Sequence, residues 1–275
     1  MSEDFYQGAA VVTGAGSGIG RATARALAAR GMDLALVDLR EDRLEEVRAE
    51  LSSNERRVTT YALDVADREA VRALPGRIAA DHPVVSVLMN NAGVGLGGNF
   101  EEVAEDDFDW LFEINFHAVV RLTRGFLPML RAAPEARIVN VSSIFGMIAP
   151  AGQTAYAASK FAVRGFSEAL RHELEAEGAT VGITTVHPGG VATNISNDAR
   201  INVDWSEEDI AQRRAVADKL LSLPPDEAAR RIVDAMDRRQ PRLLIGKDAR
   251  QAAFLQRVFP VTYYSWMRNR LAKAT

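Results

Sequence analysis

A chain of 275 residues, 47% hydrophobic, is long enough to bury one large core and shows no linker or repeat that would divide it, so a single domain over residues 1–275 is expected. Its net charge of −4 comes from interspersed signs, which excludes the basic footprint of a nucleic-acid binder. No cysteine is present, so disulfides, thiolate metal sites and cysteine nucleophiles are excluded; the four histidines lie too far apart to pair on a metal, and none is expected.

In chain order, the opening MSEDFYQGAA lacks the basic and apolar regions of a secretory signal, and no apolar run nears the ~20 residues that span a bilayer. A cytoplasmic setting is therefore expected. Residues 9–12 form a short apolar run that leads into Thr13-Gly14-Ala15-Gly16-Ser17-Gly18-Ile19-Gly20, and residues 19–29 then take helical spacing. A second strand is expected over 34–37, ending at Asp38, then an exposed helix over 41–51 and a third strand over 58–63, ending at Asp64. The fourth strand, 84–89, stops at Asn90-Asn91-Ala92-Gly93, and one long helix covers 106–131. Strand 138–141 runs into Ser142-Ser143, helix 155–177 follows, and strand 181–186 ends at His187-Pro188-Gly189. After a polar stretch, Pro224-Pro225 introduce a helix over 226–238 and a last strand over 242–245.

Strands alternating with helices predict a doubly wound, Rossmann-type α/β fold, a parallel sheet with helices on both faces. Ligands of such sheets bind at the carboxyl ends of the strands. Gly14, Asp38, Asp64, Asn90, Ser142-Ser143 and Pro188 all fall at such ends, so they share one rim.

The glycine loop fails the G-x-G-x-x-G fingerprint, because Ile19 and Arg21 stand where the third glycine is needed. By itself it fits a tight turn as well as a phosphate cradle at a helix N-terminus. Asp38, 18 residues past Gly20, sits where a carboxylate would accept from the ribose diol of NAD and repel the 2′-phosphate of NADP. It could also serve as a helix cap, and Arg40 nearby could turn to a phosphate. NAD is the favoured cofactor. Tyr156 and Lys160 lie one helical turn apart, where an ammonium would lower the pKa of the phenol toward that of a working acid/base. Taken alone, such a pair reads as an ordinary exposed helix face. Ser143, 13 residues before Tyr156, adds a hydroxyl that can hold the same substrate oxygen.

Together TGAGSGIG, Asn90-Asn91-Ala92-Gly93, Asn115, Ser143, Tyr156-x-x-x-Lys160 and Pro188-Gly189-x-Val191-x-Thr193 resemble the short-chain dehydrogenase/reductase family in its compact branch, over roughly the first 195 residues. The resemblance implies that Gly14, Gly18 and Gly20 cradle a pyrophosphate with Ser17 and Ile19 beside them, while Asp38 holds the adenosine ribose. Asp64 and Val65 would border the adenine, and Asn91, Ala92 and Gly93 would support the cofactor. Tyr156 would be the acid/base, Ser143 its partner, and Lys160 would tune Tyr156 and bind the nicotinamide ribose. Asn115 would hold a relay water, and Pro188, Gly189, Val191 and Thr193 would anchor the carboxamide. The implied activity is hydride transfer between NAD, with NADP second, and a hydrophobic secondary alcohol or ketone, in a homodimer or homotetramer. A dinucleotide sensor without turnover and a larger epimerase or dehydratase are the competing readings. The complete Asn115, Ser143, Tyr156, Lys160 set argues against the sensor, and the glycine spacing argues against the epimerase.

His187 reads as a strand end rather than a base. The stretch 194–223, with Ile195, Ile201, Val203 and Trp205, is too long for a plain connection and reads as a substrate lid. The C-terminal extension, 247–275, sets Phe254, Leu255, Val258, Phe259, Tyr263, Tyr264, Trp266 and Met267 beside Arg257, Arg268 and Arg270, with Pro260 in the middle. Core or subunit packing is its first reading, with a wall of the substrate pocket and a weak peripheral membrane contact as alternatives.

Overall fold

The computed structural model describes residues 3–51, 56–193, 195, 199–201, 205–208, 211, 215 and 221–266. Seven strands, all paired in parallel, form the central sheet: β1(Ala9–Thr13), β2(Asp33–Asp38), β3(Val58–Ala62), β4(Val85–Asn90), β6(Ala136–Val141), β7(Val181–Pro188) and β9(Arg242–Ile245), in the spatial order β3-β2-β1-β4-β6-β7-β9. A two-residue strand β5(Leu96–Gly97) pairs apart from it with β8(Arg200–Ile201). The order reverses between β1 and β4, which opens a crevice at their carboxyl ends.

Alternate strand residues feed two cores, because successive side chains point to opposite faces. Ala10, Val12, Leu34, Leu36 and Val139 face α1(Gly18–Ala29), α2(Glu41–Leu51) and α7(Pro225–Asp237). Ala9, Val11, Ala35, Val37 and Ile138 face α3(Arg68–Asp81), α5(Ala118–Ala132) and α6(Thr154–Ala176). Both faces are buried, as parallel sheets require, which is why the strands read as continuous apolar runs. Side chains link β4, β6 and the helices beside them: Asn90 donates to Asn140 at 2.8 Å and to Thr123 at 3.1 Å, and Asn140 donates to Ser167 at 2.9 Å.

Three elements depart from the expectations. Helix α3 was not foreseen, since Pro75-Gly76 interrupts its apolar spacing; the helix carries the proline and seats its ring against Gly125 of α5. The helix expected over 106–131 is α4(Glu105–Phe112), a π-helical turn (Glu113–His117) and α5. In that turn the Ala118 N–H reaches back to Glu113, one residue further than in an α-helix, a change that periodicity does not reveal. The C-terminal extension forms α8(Lys247–Val258), which buries only Ala249 and Ala252 on the body of the protein. No described helix is long and apolar enough to cross a membrane.

Candidate active site

A cleft of about 520 Å³ runs along the carboxyl rim of the sheet. One end is built by the β1–α1 turn. Gly14 and Gly18 have φ of +63° and +51°, conformations that side chains other than glycine disfavour. Ser17 precedes α1 without capping it through its side chain, so the first N–H groups of the helix are left for an anion. The turn is buttressed from β4: the Asn91 amide donates to the carbonyls of Thr13 and Gly14 at 2.9 and 3.2 Å. The Thr13 hydroxyl in turn accepts the N–H groups of Asn91 and Ala92, both at 3.0 Å.

Gly20 does not line the cleft. A Cβ there would lie 2.0 Å from the Gly14 carbonyl and 2.6 Å from the Asn91 amide, so the missing side chain of Gly20 permits the close approach of α1 to the turn. Gly16, not singled out from the sequence, donates its N–H to the Asp38 carboxylate at 2.9 Å. The other oxygen of Asp38 accepts the Arg40 N–H at 3.0 Å, so the carboxylate is fixed at the end of β2. Asp64 and Val65 line the same end, with Asp64 accepting the Ala66 N–H at 2.8 Å.

At the other end, β6 delivers Ser143 and α6 delivers Tyr156 and Lys160. Gly146 lets these elements meet, since a Cβ there would lie 2.3 Å from Ser142 Oγ and 2.7 Å from the Lys160 carbonyl. The Ser143 hydroxyl accepts the Phe145 N–H at 3.1 Å and is hydrogen-bonded to the Tyr156 phenol. Lys160, 3% exposed, donates to the Val141 carbonyl at 3.2 Å and stands 5.7 Å from the centre of the Tyr156 ring.

Electrostatically, the expectation of a depressed phenol is not met in this state. Burial disfavours the phenolate and pushes Tyr156 up to about 12, outweighing the Ser143 hydrogen bond that pulls it down. Burial likewise pushes Lys160 down to about 8, which weakens the ammonium as a partner for the phenolate.

Asn115 sits in the π-helical turn, fully buried and outside the cleft lining. Its amide is engaged with the backbone of Val94, accepting at 2.8 Å and donating at 3.0 Å, and also donates to Ser159 at 3.3 Å. Its carbonyl oxygen is also near Gly93: a Cβ on that glycine would lie 3.1 Å from it and 3.3 Å from Lys160 Nζ. His187 is a buried strand residue whose Nδ1 donates to the Ser143 carbonyl at 3.0 Å; burial pushes its pKa down to about 4.

Pro188, Gly189, Val191 and Thr193 line the cleft beside the glycine turn. Ile195 and Leu221, from the stretch expected to be a lid, join Val94, Trp110 and Ile114, which no local motif announced, in an apolar wall. Of the stretch expected to be a lid, Asn194 and Val203 lie outside the described residues. Its described part is tied down through Arg200, which pairs with Asp107 at 2.6 Å and lies 3.7 Å over the Trp110 ring. Trp205 lies 3.8 Å from where a Cβ on Gly97 would stand.

The uncapped helix N-terminus, the fixed carboxylate and an elongated cleft within the range of small-molecule sites fit a dinucleotide. Fold and cleft thus define a doubly wound oxidoreductase. Residues 8–204 match the family described as short chain dehydrogenase, and the chain belongs to the short-chain dehydrogenase/reductase family. It is 38% identical over 265 residues to the SadH protein of Mycobacterium tuberculosis, covering 96% of this chain and 95% of that one. A short chain dehydrogenase/reductase from Burkholderia phymatum, solved in complex with NAD, superposes with a TM-score of 0.86 at 30% identity, over 94% of this chain and 95% of that one. An alcohol dehydrogenase from Thermococcus sibiricus, complexed with 5-hydroxy-NADP, gives a TM-score of 0.71 at 28% identity, over 87% of this chain and 96% of that one.

Proposed function

We propose that the protein is an NAD-dependent oxidoreductase of hydrophobic secondary alcohols and ketones, with Tyr156 as acid/base. The observation that carries this reading is the convergence of Ser143, Tyr156 and Lys160 on one end of a cleft whose other end holds Asp38. When bound, the nicotinamide supplies the hydride donor or acceptor and, oxidised, a positive ring. The chain's own part is to move the proton and to hold the oxygen.

With its pKa raised by burial to about 12, Tyr156 keeps its proton at neutral pH and can give it to a carbonyl oxygen as that oxygen gains charge. Ser143 Oγ already accepts the Phe145 N–H, which leaves its hydrogen to donate toward Tyr156 or the substrate oxygen. For alcohol oxidation Tyr156 has to accept the hydroxyl proton, and the Lys160 cation favours the phenolate that does so. The side-chain amide of Asn115 is engaged with Val94 and Ser159.

NAD is the cofactor this cleft favours. The Asp38 carboxylate, held by two N–H groups, suits the ribose diol and repels a 2′-phosphate, and the Arg40 guanidinium is turned to Asp42 at 2.9 and 2.6 Å. The NAD bound by the Burkholderia phymatum relative supports the same choice. The apolar wall of Val94, Trp110, Ile114, Ile195 and Leu221 supports a hydrophobic substrate.

The test is NADH formation from NAD with secondary alcohols from small aliphatic to steroid-sized, with Tyr156→Phe as control. Turnover that falls by about 10²-fold or more in the variant, with NADH binding retained, is the expected result. A variant that turns over like the wild type removes Tyr156 from the role. Silence across the panel with NADH bound tightly favours a dinucleotide sensor.

A further inference from the structure

The C-terminal extension does not close over a core of its own. Helix α8 turns Ala249 and Ala252 inward and presents Arg250, Phe254, Arg257 and Val258 on its outer face, at the i, i+4, i+7, i+8 spacing of one helical stripe. Phe254 is 65% exposed, Val261 88% and Trp266 59%, and Trp266 stacks on Phe259 at 5.6 Å. Of the first reading of this segment, core or subunit packing, the described residues of α8 give the core half only Ala249 and Ala252. Met267, Arg268 and Arg270 lie outside the described residues.

Charge separates this apolar face from the rest of the molecule. Residues 247–275 carry six basic side chains and one acidic one, in a chain whose net charge is −4. The one acid, Asp248, is turned to the Gly190 N–H at 2.7 Å. Among the described residues, Lys247, Arg250 and Arg257 form no ion pair, so the excess of basic side chains in this segment is not offset by carboxylates around it. A stripe of exposed aromatic and aliphatic side chains flanked by unmatched cations is the pattern of a helix that lies in the interface of an anionic bilayer.

We propose that α8 and residues 259–266 dock the protein on an anionic lipid surface, with Phe254, Val258, Val261 and Trp266 entering the headgroup boundary and Arg250 and Arg257 at its charged edge. A symmetric contact between two copies is the rival occupant. It would set this basic segment against its own copy, where like charges oppose association. The proposal stands apart from the assignment of the cleft, and its test uses no turnover.

The experiment is flotation of the full chain with vesicles of phosphatidylcholine containing phosphatidylglycerol, against vesicles of phosphatidylcholine alone. Flotation with the anionic vesicles only, abolished by high salt, is expected. Arg250→Glu/Arg257→Glu should weaken partitioning roughly 30-fold or more, and Phe254→Ser/Trp266→Ser should lower it with both melting temperatures at the wild-type value. Equal partitioning of the wild type onto both vesicles, or onto neither, overturns the proposal. So does a wild-type dimer that Phe254→Ser/Trp266→Ser converts to monomer in sedimentation equilibrium, which assigns the face to a second copy.

Discussion

Replacing Lys160 by methionine keeps most of the length of the side chain and removes its charge. The ammonium is 3% exposed, and burial lowers its pKa from 10.5 to about 8, a difference that corresponds to roughly 3 kcal/mol. At pH 7 the lysine is charged both folded and unfolded, so the folded state bears this cost in full. Between pH 8 and 10.5 the folded ammonium releases its proton while the unfolded one still holds it, and wild-type stability rises with pH across that window. The variant has no such rise. Losing the hydrogen bond to Val141 costs about 1 kcal/mol, which leaves Lys160→Met more stable than the wild type at pH 7 by about 2 kcal/mol. For a protein of this size that is a melting temperature higher by roughly 4–8 °C. Calorimetry of both cofactor-free proteins at pH 7 and at pH 9.5 measures the gap, which should narrow at the higher pH. A variant that melts below the wild type at pH 7, or a gap indifferent to pH, would show that the surroundings hold the ammonium more strongly than burial weakens it. Turnover should fall whichever way stability moves, so stability and activity are opposed at this one side chain.

Asp38→Ala should lower the ratio of kcat/KM for NAD to that for NADP by about tenfold or more, worth about 1.4 kcal/mol; an unchanged ratio would move the selectivity to other residues. Gly20→Ala forces a methyl against the Gly14 carbonyl and should cost about 1–3 kcal/mol, read in urea unfolding, together with weaker NADH binding because the turn must shift. By contrast, a Cβ on Gly76 in α3 meets nothing within 4 Å, so Gly76→Ala should stabilise the protein by about 0.5–1 kcal/mol in the same assay; destabilisation there would contradict the geometry of α3.

Where sequence reading succeeded, one local rule was enough. Helix α2 and strand β9 run over the expected residues because amphipathic spacing and a short apolar run decide them without help from the rest of the chain. Asp38, Asp64 and Ser143 line one cleft because parallel strands bring their carboxyl ends to one rim. The failures are of another kind. A glycine in a motif does not say whether its missing Cβ makes room for a ligand, as at an anion-binding turn, or for a neighbouring carbonyl, as at Gly20. The pairing of Tyr156 with Lys160 fixes their proximity but not the dielectric around them, and burial reversed the expected direction for the phenol. Trp110 and Ile114, at the junction of α4 and the π-helical turn, meet Leu221 from a distant part of the chain, so tertiary packing is what places them in the cleft.

Asp248 reaches across 58 residues of sequence to accept the Gly190 N–H, and its carboxylate fills the space that a side chain on Gly189 or Gly246 would occupy. The family match ends at residue 204, so the group that braces the Pro188–Thr193 turn lies outside the matched region. The protein is therefore not a transferable cassette with an appendage. A chimera joining residues 1–204 to the tail of a relative would keep Ser143, Tyr156 and Lys160 but inherit an unbraced turn, unless the new tail brought its own acid to the start of its last helix. Exchanging tails would, in this fold, also disturb the Pro188–Thr193 edge of the cleft.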